Sequence, residues 1–343
     1  MLYFNCDYNE GAHEAVLARL CSTNMEQTEG YGEDVYCREA REMICRLCGD
    51  ERLGVHFLTG GTQTNLTVVA AALRPHQGVL ASCSGHINVH ETGAIEACGH
   101  KVLVLPSVDG KIKACQVEQY CQGHRADDSF EHTVQPKMVY ISNPTELGTI
   151  YNRAELEELS LVCRKYGMYL FLDGARLGYG LTAEGNDLDL AALSQLCDVF
   201  YIGGTKVGAL FGEAVVISND ELKTDFRYIM KQKGGMLAKG RLLGIQFLAL
   251  FENGLYFKLG KRANVLAGEI RRACQAAGYP FLVENTTNQV FPILPDRKLK
   301  SLSEQYHFSY QERVDDLHSA VRFCTSWATT EENVKRLSED LMR

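Results

Sequence analysis

The sequence predicts an α/β fold: a large three-layer domain on a mostly parallel sheet, followed by a small α+β domain at the C-terminal end. Three observations carry this. Seven short runs rich in β-branched and aromatic residues recur, and near-continuous apolar strands of this kind belong to a parallel sheet buried on both faces. Helical patterns separate them. Glycines and charged residues stand directly after several runs, at strand carboxyl ends, where α/β sheets bind ligands.

The predicted strands are VHFLTGG from Val55, VLASCS from Val79, KVLVLPS from Lys101, MVYIS from Met138, YLFLDG from Tyr169, DVFYIGG from Asp198 and AVVIS from Ala214. Ahead of them, GEDVYCREAREMICRLCGD reads as an amphipathic helix whose Cys45 and Cys48 are small core residues rather than a metal pair. TQTNLTVVAAAL after the first strand and HETGAIEAC before the third read as helical. So does RAELEELSLVCRKYG, with apolar Leu156, Leu159, Leu161 and Val162. From Arg241 a long helical stretch with breaks at Gly254 and Gly260 holds the domain boundary. The expected division is an N-terminal segment over 1–15, a large domain over 16–250 and a small domain over 251–343, in which extended and helical segments alternate.

With 45% hydrophobic and 23% charged residues in 343, the chain is neither disordered nor fibrous. A net charge of −8 argues against whole-surface attraction to nucleic acid or anionic membrane. No apolar run approaches the ~20 residues of a membrane span. The opening MLYFNCDYNE lacks the basic-then-apolar pattern of a secretory leader, and thirteen cysteines in such a chain fit a reduced, cytoplasmic protein.

Three strand-end features carry chemistry. In HFLTGGTQTNL, Gly60 and Gly61 follow a strand and Thr62 opens a helix, an arrangement that suits a phosphate, with Thr64 and Asn65 as further donors. Asp173 ends a central strand, where a carboxylate needs a cation or donors. Its partner is either Arg176 or a cationic heteroaromatic nitrogen. Lys206 follows another strand among glycines and apolar residues, a setting that eases loss of its proton and favours attack on an aldehyde. Together these match the needs of pyridoxal phosphate.

LDGARL at 172–177, the lysine of GGTKVGALFG, GGTQTN at 60–65 and HINVHETGA from His86 resemble the threonine aldolase family of fold-type I (aspartate aminotransferase-like) pyridoxal phosphate enzymes. The resemblance runs from about Tyr31 to RFCTSWATTEENV and implies a role for each matched position. His86 stacks on the cofactor ring, with Glu91 in the same motif. Gly61 and Thr62 bind phosphate, Asp173 faces the pyridine nitrogen, Arg176 meets the ring hydroxyl oxygen, and Lys206 forms the Schiff base. Arg322 clamps the substrate carboxylate, as its forked guanidinium can.

The chain also departs from the family pattern. Its opening reads FNCDYNEGAH, so Cys6 or Asn9 stands where a serine helps hold the carboxylate. Thr145 occupies the place of a second active-site histidine, which leaves His86, or a water it orients, as the expected base. Leu237 replaces an arginine, leaving Lys231, Lys233 or Lys239 to approach the phosphate from a neighbouring subunit. His13, His90, His100, His124 and His132 show no metal spacing, and no metal is expected. Tyr31 and Tyr36 read as core or subunit-interface aromatics. The resemblance implies a homodimer or homotetramer with sites at subunit boundaries, and retro-aldol cleavage of a β-hydroxy-α-amino acid. The alternative is another reaction through a Cα carbanion: β-elimination, racemisation or transamination.

Overall fold

A computed structural model describes residues 1–343. Strand β1 (Leu2–Tyr3) lies apart from a seven-stranded sheet made of β2 (Gly54–Leu58), β3 (Gln77–Ser82), β4 (Val102–Leu105), β5 (Gln135–Ser142), β6 (Tyr169–Asp173), β7 (Val199–Gly203) and β8 (Glu213–Ile217). Its order is β2-β8-β7-β6-β5-β3-β4. Strand β8 runs antiparallel to both neighbours and the other pairs are parallel. All seven predicted runs are strands of this sheet.

Side-chain alternation divides the sheet into two buried faces. Leu170, Leu172, Phe200 and Ile202 enter one apolar cluster with the helices Val35–Cys48, Arg153–Tyr166 and Arg241–Phe251. Tyr140, Phe171, Val199 and Tyr201 enter the other, under the helix Gly61–Ala72. Three layers result. Ser142 pairs with Asp173, and Gly203 with Glu213, so the last residues of β5, β6 and β7 share one edge.

Two helical expectations need correction. Within HETGAIEAC only Ala94–Ala97 is helical, a short turn that Thr92 and Gly93, with φ of 52° and 70°, separate from the turn His86–Val89 before it. Gly254, with φ 67°, ends a helix as expected, but the helix Leu255–Ala276 passes straight through Gly260. That glycine serves packing, since a Cβ there would stand 2.3 Å from the Gly178 carbonyl oxygen.

The same helix joins both ends of the molecule. Tyr256, Leu259 and Ala263 pack into the large core, while Leu266, Ile270 and Cys274 pack with Phe323, Val334 and Leu337. Around the second cluster lie β9 (Gln289–Val290), β10 (Ile293–Pro295), β11 (Tyr306–His307), β12 (Ser309–Arg313) and β13 (His318–Cys324). Strand β1 pairs with β11, and Phe4 is buried in that cluster, so the first residues join the C-terminal unit. No helix is long and apolar enough to cross a membrane.

Candidate active site

Asp173 ends β6 on the face shared with Tyr140 and Tyr201, and four donors surround it. The Tyr201 hydroxyl (2.5 Å) and Ala175 N–H (2.9 Å) donate to Oδ1; the Tyr140 hydroxyl (2.5 Å) and Asn65 Nδ2 (3.0 Å) donate to Oδ2. Burial, then the Asp173 charge, pushes both tyrosine hydroxyls well above their ordinary range, so they remain protonated donors. The sequence reading missed these tyrosines, although each lies on Asp173's face by strand alternation. Asn65, read there as a phosphate donor, is instead buried inward, as is Thr64. The helix period carries both away from the exposed first turn.

Arg176 does not pair with Asp173. Its guanidinium donates to Asp7 through Nε (2.8 Å) and Nη2 (3.1 Å), and Asn288 Nδ2 adds a third hydrogen bond to the same carboxylate at 3.0 Å. Burial is the largest single influence and lowers the arginine's affinity for its proton, but the Asp7 charge, the neighbouring Cys324 and Tyr179 and the Asp7 hydrogen bonds together outweigh it, and the net shift is upward.

Lys206 lies just beyond β7, with Nζ 6.0 Å from the centre of the Tyr8 ring and no side chain in hydrogen-bond or ion-pair contact. Burial and the nearby Arg176 charge lower its pKa, against the opposing pull of Asp7, Asp173 and Glu213. Its amine therefore loses a proton more readily than a surface lysine's.

The His86 ring is partly exposed, and its Nδ1 meets Glu91 Oε1 at 2.7 Å. Glu91 is buried and accepts a second hydrogen bond from Asn65 at 2.6 Å. Thr145 is buried away from these groups, its hydroxyl 2.7 Å from that of Thr149. The neighbouring Glu146 is the residue of this loop that faces His86: its Oε1 accepts from the His86 N–H (2.9 Å) and the Ser142 hydroxyl (2.7 Å). Burial raises its pKa, Ser142 opposes this, and the Asp173 charge adds to the rise.

At the glycine turn, Gly60 offers no side-chain cap to the helix that begins at Gly61, so its first amides are left free. Thr62 is exposed there. The segment carrying Lys233 approaches, its carbonyl accepting from Gln63 Nε2 at 3.3 Å. Lys231 instead lies over the Tyr31 ring at 4.5 Å, and Tyr31 itself is an exposed residue ahead of the helix Val35–Cys48. Arg322 on β13 donates to Gln289 (3.1 Å) and to the Asn5 carbonyl (2.9 Å), while its Nε is buried without a partner. Cys6 donates to Asn9 at 3.1 Å, and the exposed Asn9 side chain returns to Asn5 and the Cys6 carbonyl within the same turn.

The family model described as beta-eliminating lyase matches residues 7–296. Low-specificity L-threonine aldolase of Pseudomonas aeruginosa is 26% identical over 341 residues, covering 98% of this chain and 96% of that protein. The corresponding protein of Candida albicans is 24% identical, covering 89% and 80%. The solved structure of Leishmania major threonine aldolase superposes with a TM-score of 0.97 at 44% identity, covering 99% of this chain and 98% of that one. Aspartate aminotransferase of Thermus thermophilus, at 13% identity and a TM-score of 0.73 over 100% and 91%, shares the fold. The expected aspartate aminotransferase-like architecture is therefore present, and the chain belongs to the beta-eliminating lyase family, among relatives of threonine aldolase.

Proposed function

We propose that this chain is a pyridoxal-phosphate-dependent lyase that cleaves a β-hydroxy-α-amino acid of the L-threonine type to glycine and an aldehyde. The observation that carries this is the unpaired Lys206 amine, held at a strand end beside the Asp7, Asp173 and Arg176 charges in a chain 44% identical to a threonine aldolase.

The residues present fit the cofactor. The free amine suits its aldehyde, the uncapped helix start at Gly61 and Thr62 suits its phosphate, and the buried, donor-rich Asp173 carboxylate suits a protonated ring nitrogen. Arg322 Nε, buried and unpartnered, suits a substrate carboxylate. When bound, the cofactor supplies the electron sink for the pair released at the α carbon.

Lys206 supplies the amine that holds the cofactor and exchanges protons at Nζ. Asp173 would hold the ring nitrogen, Arg176 would meet the ring oxygen, and Arg322 would orient the substrate carboxylate. His86 would cover the ring, and with Nδ1 tied to Glu91, its Nε2 is the free acceptor for a hydroxyl proton. Cys6 and Asn9 are secondary candidates for the substrate carboxylate. We further propose a homodimer or homotetramer, with Lys231, Lys233 or Lys239 at a neighbouring phosphate. A reducing, cytoplasmic setting is proposed because all thirteen cysteines are free thiols.

Incubation with L-threonine, L-allo-threonine and L-serine tests the reaction. Glycine and acetaldehyde from the threonines support it. Pyruvate from L-serine without glycine would favour β-elimination, the reaction for which the matched family is named.

A further inference from the structure

One buried side chain touches two carboxylates of the site. Asn65 Nδ2 lies 2.6 Å from Glu91 Oε1 and 3.0 Å from Asp173 Oδ2. The amide cannot be turned round, because Oδ1 in that place would set an acceptor against two carboxylate oxygens. This orientation leaves Oδ1 buried without a partner, and Oε2 of Glu91 as well. Unsatisfied buried acceptors destabilise a fold. A position needed only to fill space would hold an apolar residue, as Val68 and Val69 do on the same helix.

Glu91 Oε1 also meets His86 Nδ1 at 2.7 Å, so an unbroken line runs from His86 through Glu91 and Asn65 to Asp173. The other ionisable groups facing Asp173 are Tyr140 and Tyr201, which donate to it, and Glu146, Lys206 and Glu213. None of them touches Glu91 by a hydrogen bond. Asn65 alone joins the two carboxylates, which without a shared donor would repel and compete for a proton.

We propose that Asn65 is a positioning residue that yokes the His86 ring to the Asp173 carboxylate, fixing them relative to one another before the cofactor arrives. This rests on the cofactor reading above, and it assigns the site's preorganisation to one amide.

Equilibrium dialysis of the full chain against pyridoxal phosphate tests it with Asn65→Leu, Asn65→Asp, Glu91→Gln and the Asn65→Leu/Glu91→Gln pair. Asn65→Leu should weaken binding about tenfold in the Glu91 protein and less than about threefold in the Glu91→Gln protein, where only the Asp173 carboxylate is left and there are no longer two charges to hold together. Asn65→Asp should bind poorly at about pH 8 and recover relative to wild type near about pH 6, where a shared proton restores a donor; Asn65→Leu should not recover. Additive losses, together with an Asn65→Asp defect independent of pH, would overturn the yoke and leave Asn65 a space-filling residue. If Asn65→Leu fails to fold, the Asn65→Asp comparison at the two pH values decides alone. A wild-type chain that takes up no pyridoxal phosphate overturns the cofactor reading and the yoke with it.

Discussion

Arg176 and Asp7, 169 residues apart in the chain, form a two-pronged buried ion pair through Nε–Oδ2 at 2.8 Å and Nη2–Oδ1 at 3.1 Å. Burial alone would raise the Asp7 carboxyl, but the charges of Arg176 and Lys206 and the hydrogen bonds from Arg176 and Asn288 hold it at about 2. A folded value below the unfolded one means that this stability is present above the ordinary carboxylate value of 3.8 and is lost as pH falls through about 2. The difference corresponds to about 2 kcal/mol. Asp7→Asn leaves the Arg176 charge buried without its counter-ion, and should cost roughly 3–5 kcal/mol in urea denaturation. A loss below about 1 kcal/mol would show that the pair does not anchor the N-terminal segment.

Two glycines of the helix Leu255–Ala276 should respond to alanine with opposite signs. An added Cβ at Gly268 meets nothing nearer than the flexible Arg272 Nη1 at 3.6 Å, so the helix-propensity gain of roughly 1 kcal/mol should appear. At Gly260 the Cβ would meet the Gly178 carbonyl oxygen at 2.3 Å, and backbone cannot swing aside. Overpacking of roughly 1–3 kcal/mol or more then exceeds the gain. Melting temperatures of Gly260→Ala and Gly268→Ala should fall and rise respectively; two rises would refute the close crossing.

The strands were legible because a strand buried on both faces must be apolar at nearly every position, as VLVL and YLFLD are. Asp173 and Lys206 were legible because each breaks such a run at its carboxyl end. The Asp7–Arg176 pair was not, since a contact between distant segments leaves no local periodicity. Tyr140 and Tyr201 were visible as strand residues, but their joint approach to Asp173 depends on the β5-β6-β7 order, which the sequence does not carry. Gly260 looked like a helix break because glycine weakens helices in isolation, whereas here close packing against Gly178 outweighs that tendency.

Glu213 begins β8 with its Oε1 accepting from the Thr205 hydroxyl at 2.8 Å and its Oε2 from the Gly204 N–H at 3.2 Å. Burial raises its carboxyl to about 8, against the Thr205 hydrogen bond and the Lys206 charge. A folded value above the unfolded one gives stability that is fully present below 4.5 and is lost as pH rises through about 8. The melting temperature of wild type should therefore drop between about pH 5 and about pH 8, and Glu213→Gln should flatten that drop. An unchanged drop in the variant would mean that some other group titrates.

Glu146 ties the loop after β5 to the start of the short helix His86–Val89, because its Oε1 accepts the His86 N–H at 2.9 Å. Glutamine retains an acceptor at that atom and alanine does not. If the hydrogen bond sets the ring position, Glu146→Ala should lower kcat/KM for L-threonine by roughly tenfold to a hundredfold, the scale of a misplaced catalytic group. Glu146→Gln should then stay within about threefold of wild type. Equal losses in the two variants would transfer the role from the acceptor to the carboxyl's own proton. The acid–base profile separates these cases, because burial and the Asp173 charge raise the Glu146 carboxyl despite the Ser142 hydrogen bond, and a limb due to that group must vanish in Glu146→Gln.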